Sequence, residues 1–269
     1  MLQDYRQLTL DQIEQLEKQT LRVIVQAMQE YSREARILFE TTPAASENEV
    51  IVLAEDLLQY ALEVAECYPI NTRFAGFIDY KRVRWLGMPF GLFPQALLVD
   101  AKASTENNRE TLQQSQLPME ADFISKGTGV SMPAGVPPHL DITCVPRTDE
   151  TLHAITTSAF VHFHYEVLGN TSPPYRRLNS MFALVIPHAR LKPRYNPDAN
   201  TTFFGQGKHS PARNEVARIR VYFTRLKQMC PWRLQQLRFE AGSTYSTPAW
   251  RDVDGNGSET LQPFSFIGR

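Results

Sequence analysis

Cysteine is scarce in this chain: Cys67, Cys144 and Cys230 stand far apart and in no Cys-x-x-Cys spacing. An odd set placed this way supports neither a disulfide framework nor a thiolate zinc site, and it suits a reducing compartment. Long apolar runs are also missing, and none approaches the roughly eighteen residues of a membrane span. The opening residues, Met1-Leu2-Gln3-Asp4-Tyr5-Arg6, lack the basic-then-apolar order of a secretory signal. The expectation is therefore a soluble, cytoplasmic protein. No phosphate-cradling glycine loop, Gly-x-Ser-x-Gly elbow or kinase motif set occurs, which leaves those three chemistries without support.

What is present is a chain of 269 residues, 42% hydrophobic and 10% aromatic, which argues against disorder. That length suits one mixed α/β domain spanning 1–269. The net charge of −1 conceals an asymmetry. Residues 1–66 hold 13 Asp or Glu against 5 Lys or Arg, whereas residues 190–238 hold 11 Lys or Arg against Asp198 and Glu215. The second segment is either a solvated basic face or a surface that meets anions. Arginines outnumber lysines by 21 to 7, and arginine's planar fork matches phosphate and the O6/N7 edge of guanine bidentately.

Periodicity predicts one long amphipathic helix from Thr9 to about Phe39, opened by a capping pair Thr9/Gln12, and a second from about Glu49 to Tyr68, ended by Pro69. Glu55 on the second helix is a candidate additional acidic residue. Two apolar runs of strand length follow, one ending in Asp79 and one carrying Asp100, with a Gly/Pro-containing connection at 87–94 that suits an antiparallel hairpin. Residues 103–117 read as a polar helix, 127–138 as a surface loop, and 159–165 and 182–186 as strands. Val216 to Phe223 alternates sharply and places Arg218 and Arg220 on one face. A helical pattern resumes from about Thr224 and is broken or bent at Pro231.

Asp100 and Lys102 share a strand face because side chains alternate with period two. If Asp79 converges with Asp100, two carboxylates meet at a point where they repel unless a hard divalent cation lies between them, which is the usual manner of holding Mg²⁺. Lys102 would then reach the attacking water and scissile phosphate of a metal-dependent phosphodiesterase. Asp-x-Lys is a short pattern, repeated as Asp79-Tyr80-Lys81, and the alternative is two strand-end aspartates paired with surface cations. Two other patterns invite metal readings. Asp252 to Gly257 copies the first half of a calcium loop, but the twelfth position is Pro263 rather than Glu. His162 and His164 share a strand face with no third zinc ligand at a telling spacing, so buried or paired histidines are expected.

Four stretches, Val50 to Asp56, Arg73 to Trp85, Leu98 to Glu106, and Gly207 to Arg213 with its continuation Glu215 to Phe223, resemble the SfiI family of type II restriction endonucleases, within the PD-(D/E)xK nuclease superfamily. The resemblance runs from end to end. It implies a restriction-endonuclease-like α/β core, a mixed central sheet flanked by helices. It also implies a catalytic set of Asp79, Asp100 and Lys102, with Asp79, Asp100 and the Ala101 carbonyl holding Mg²⁺. No Pro precedes Asp79, where Ile78 stands, a departure common in this loosely patterned superfamily. The implied partner is double-stranded DNA, bound by a homotetramer at two copies of GGCCNNNNNGGCC and cut to leave 5′-phosphates and 3′ overhangs, with no membrane and no further protein partner. Arg109, Lys208, Arg213, Arg218 and Arg220 are the candidate DNA-binding residues. Two rival readings are a DNA-binding regulator that keeps the fold without the chemistry, and a structure-directed nuclease on the same core.

Overall fold

The computed structural model describes residues 5–42, 46–65, 83–86, 94–143, 151–169, 174–207, 218–238, 249–251 and 258–260. Three helices come first: α1 (Leu10–Glu30), α2 (Ser32–Thr41) and α3 (Glu47–Val64). The capping box is present, with Gln12 N–H donating to Thr9 Oγ1 and Thr9 N–H donating to Gln12 Oε1. The expected single long helix is broken at Tyr31, where the backbone leaves helical geometry at φ −100 and ψ 10. A straight thirty-residue helix would run about 45 Å. The bend instead lays α2 on the sheet, where Phe39 stacks on Phe163 with centroids 5.7 Å apart. Ser46 caps α3, so that helix starts two residues ahead of the expected Glu49 and ends at Val64, before Tyr68.

The strands are β1 (Val83–Leu86), β2 (Gln95–Ser104), β3 (Arg109–Gln113), β4 (Ala121–Ser125), β5 (Thr128–Met132), β6 (His139–Thr143), β7 (Thr151–Leu168) and β8 (Tyr175–Ile186). After the short α4 (Lys192–Tyr195) come β9 (Phe204–Gln206), β10 (Arg218–Tyr222), α5 (Phe223–Met229), β11 (Leu234–Arg238), β12 (Ala249–Arg251) and β13 (Ser258–Thr260). The large sheet runs β1-β2-β7-β8-β11, with β6 also on β7. It is mixed: β2 and β7 are parallel, and the other pairs are antiparallel. Leu86 pairs antiparallel with Gln95, as the expected hairpin requires, while the strand expected to end in Asp79 lies outside the described residues. A second sheet, β3-β10-β9, is antiparallel.

Two further assignments need correcting. Residues 103–117, read as a helix, instead finish β2, form β3 and close in a 3-10 turn at Gln114–Gln116, because β3 finds its hydrogen-bond partners on the distant β10. The stretch 127–138, read as loop, begins with strand β5, and Lys126 and Gly127 with φ of 50° and 82° make the tight turn that pairs it with β4. The strands at 159–165 and 182–186 are present within the longer β7 and β8. After β10 the chain does turn helical, as α5, and Pro231 opens a 3-10 turn that leads into β11. Among the described residues no helix is long and apolar enough to cross a membrane.

Alternation sorts the large sheet into two faces. Leu97, Val99 and Ala101 are buried on the face where Gln95 Nε2 donates to Thr20 Oγ1 of α1, the helix-covered side. The other face presents Asp100, Lys102, Ser104 and His162. There the His162 ring meets Phe223 at the start of α5, with centroids 5.6 Å apart. The small sheet is tied to this same face.

Candidate functional site

Asp100 and Lys102 sit near the C-terminal end of β2, opposite Phe160 and His162 of β7. Lys102 Nζ lies 2.8 Å from Asp100 Oδ2, so the pair foreseen from strand spacing is formed. Gln116 Nε2 donates to the same oxygen at 2.6 Å. Nothing in the sequence pattern points to Gln116, because its turn was read as helix. The turn is fixed by tight packing. Gly135 and Val136 both donate to Leu117 O, and a side chain at Gly135 would put its Cβ 2.4 Å from Gln114 O. Only glycine permits that approach.

Asp100 is 5% exposed and Lys102 22%. The carboxylate is therefore held in place while the amine keeps an open side. Asp79 lies outside the described residues, as do Lys208, Arg213 and the calcium-like Asp252 to Gly257 turn. The donors at this point, a carboxylate and the main-chain oxygen of buried Ala101, are hard oxygens, and that chemistry fits Mg²⁺ better than a thiophilic ion. Glu55 is half-buried on α3 beside Ala54 in the helix layer, whereas Asp100 and Lys102 point to the other face of the sheet.

The arginine-bearing strand forms as expected. In β10, Ile219 and Val221 are fully buried, and Arg218 and Arg220 stand half-buried on the opposite face. Arg109 pairs in register with Tyr222 and holds Glu106 through Nε and Nη2 at 2.5 and 2.7 Å, an ion pair that raises its pKa. A link to the large sheet also escaped the sequence reading. His162 is fully buried, its Nδ1 pairs with Glu110 of β3, and its Nε2 lies 3.4 Å from Ser104 Oγ of β2. This answers the zinc question for His162, which is a buried, paired histidine. His164 faces Ser180 Oγ at 3.4 Å, and burial pushes its pKa down.

A mixed sheet covered by helices on one face, with a carboxylate and a lysine two residues apart on an inner strand of the other, is the architecture of a restriction-endonuclease-like protein. The family model for the type II restriction enzyme SfiI matches residues 44–237. The chain is 63% identical over 271 residues to the type II restriction enzyme SfiI of Streptomyces fimbriatus, with 100% of each chain covered. Its structure is similar to the crystal structure of tetrameric restriction endonuclease SfiI bound to cognate DNA, with a TM-score of 0.85, 63% identity and full coverage of both chains. A likeness of fold alone extends to the restriction endonuclease BglI bound to its DNA recognition sequence, with a TM-score of 0.65 and 14% identity over 84% of this chain and 90% of that one. This chain belongs to the SfiI family of type II restriction enzymes.

Proposed function

We propose that this restriction enzyme is a Mg²⁺-dependent endonuclease that cuts double-stranded DNA inside GGCCNNNNNGGCC and leaves 5′-phosphates and 3′ overhangs. It works as a homotetramer holding two sites, with residues 1–269 acting as one domain in the cytoplasm. The observation that carries the reading is the Asp100 and Lys102 pair, 2.8 Å apart, on the sheet face that also bears the arginine strand through the His162 and Glu110 link. The tetramer and the DNA come from the SfiI relative, whose structure is of a tetramer on cognate DNA.

Asp79, Asp100 and the Ala101 carbonyl are the residues that would hold Mg²⁺. A Mg²⁺ ion bound there would supply positive charge to offset the charge developing on the scissile phosphate. Gln116 and Lys102 keep the Asp100 carboxylate in one orientation through Oδ2. The Lys102 ammonium, open on one side, orients the attacking water and favours its hydroxide form by charge. The all-G·C half-sites offer paired guanine acceptors in the major groove, which Arg218 and Arg220 are suited to read. Arg109 exchanges the Glu106 carboxylate for a DNA phosphate, since each offers a guanidinium two anionic oxygens that accept in bidentate fashion. Lys208 and Arg213 add phosphate or base contacts.

A digest tests this. With Mg²⁺, a plasmid carrying two GGCCNNNNNGGCC sites should be cut faster than a one-site plasmid, because the tether raises the effective concentration of the second site. Mapped ends should carry the 3′ overhang. Equal rates on the two plasmids, together with a dimer in sedimentation both free and on DNA, would remove the two-site tetramer from the reading.

A further inference from the structure

We propose that His139, Asp141 and His153 form a binding site for a divalent transition-metal ion of the Zn²⁺ type, separate from the candidate cleavage site and independent of how that site is read. His139 and Asp141 are two residues apart on β6 and so share a face. His153 of β7 stands directly opposite Asp141 in the antiparallel register. On one face of such a pair, opposite Cβ atoms lie about 4.5 to 5.5 Å apart and diagonal neighbours about 7 to 8 Å, within reach of imidazole rings. One ligand atom from each of the three residues falls within 4.8 Å of the others. His153 Nδ1 is 2.6 Å and His139 Nε2 3.6 Å from the same oxygen, Asp141 Oδ1.

Zinc bonds of about 2.0 to 2.2 Å put tetrahedral ligand atoms roughly 3.3 to 3.5 Å apart, so small side-chain adjustments complete three corners of the shell. The side chains are 35%, 58% and 51% exposed for His139, Asp141 and His153, which lets an ion enter and leaves the fourth corner for water. The His139 ring is already held, stacked on Tyr5 with centroids 4.7 Å apart and planes at 28°. Two imidazoles and one carboxylate are a donor set for Zn²⁺, Ni²⁺ or Co²⁺, whereas Mg²⁺ prefers oxygen alone. A cross-strand hydrogen bond between His153 and Asp141 would account for those two residues, but not for the convergence of His139 on the same carboxylate oxygen.

Position along β7 sets the role. His153 precedes Phe160, the register partner of Asp100, by seven residues, which is about 23 Å of strand. The ion would lie near the start of β2, where Gln95 pairs with Ile155, and would not reach Asp100. It would clip β6 to the first part of β7, which lies ahead of the β8 pairing that begins at Ser158.

The test uses the full chain in excess Mg²⁺, titrated with Zn²⁺ and, in parallel, with Co²⁺ as a visible probe. The parent should bind one Zn²⁺ per chain and show a Co²⁺ ligand-field spectrum. His139→Ala, His153→Gln and Asp141→Asn should each weaken Zn²⁺ binding at least tenfold and lose that spectrum. Because the last two replacements keep hydrogen-bonding shape, metal-free melting temperatures should match the parent's, and Zn²⁺ should raise the melting temperature of the parent alone. Mg²⁺-supported DNA cleavage should be unchanged in all three. Equal Zn²⁺ affinity in the parent and all three variants, or no binding at micromolar Zn²⁺, would overturn the site.

Discussion

Two carboxylates, Glu17 and Asp100, each hold a cation at 2.8 Å, and their surroundings give them opposite roles. Glu17 and Arg233 are 1% and 0% exposed. The Arg233 guanidinium lies over the rings of Tyr195 and Trp232 at 4.3 and 4.4 Å, and His188 N–H donates to Glu17 Oε1 at 2.7 Å. That pair is closed on every side and ties α1 to the turn before β11. Asp100 is equally well anchored, by Gln116 and Lys102, but its cation keeps an open flank. An ion pair becomes a staple when both ends are sealed and a candidate reaction centre when one end still meets solvent.

Substitution separates the two roles, and the largest effect is expected at the open pair. Asp100→Asn or Lys102→Ala should lower the cleavage rate at least about 10⁴-fold, about 5.4 kcal/mol of transition-state stabilisation. Specific DNA binding measured in Ca²⁺ should stay within about tenfold, about 1.4 kcal/mol. Near-normal turnover in either variant would end the assignment. At the closed pair the pattern reverses. Glu17→Ala leaves Arg233 charged and buried, and should cost about 3 to 5 kcal/mol in urea unfolding. The double change Glu17→Leu with Arg233→Met should recover most of that loss; a single variant as stable as the parent would contradict the staple.

The arginine strand gives an intermediate case. Arg218→Ala and Arg220→Ala should each cost about 1 to 3 kcal/mol on cognate DNA and much less on random DNA in competition binding. Equal losses on both would make these residues phosphate contacts. The smallest expected effect is with pH. Burial holds the His164 and His188 pKa values below the ordinary 6.5. The unfolded chain therefore binds more protons than the folded one, and stability is full above about pH 6.5 and is lost as pH falls through the lowered folded values. Melting temperatures should fall by a few degrees between pH 7.5 and 5.5, at about 2 to 4 °C per kcal/mol for a chain of this size. A flat profile would show that neither histidine is protected from protonation.

Local features of the chain were readable. The Thr9 and Gln12 cap, the shared face of Asp100 and Lys102 and the alternation of β10 depend on residues within a few positions of each other, and all three stand in the structure. What escaped was non-local. Residues 109–113 are polar and helix-like by composition, and they become a strand only because Arg109 to Gln113 find partners from Tyr222 back to Arg218. The break at Tyr31 has no Pro or Gly to announce it; it is set by where Phe39 must land on Phe163.

By itself, then, the sequence determined the periodic strands and helices, the acidic and basic character of separate segments, and the carboxylate and amine that share one strand face. Each follows from backbone geometry acting over two to four residues. The tertiary structure alone decided that Gln116 would hold Asp100, that His162 and Glu110 would tie the β2 strand to the arginine sheet, and that His139 would meet Asp141 and His153 across two strands. These contacts join residues distant in sequence, where register and packing choose the partner and no local pattern records the choice.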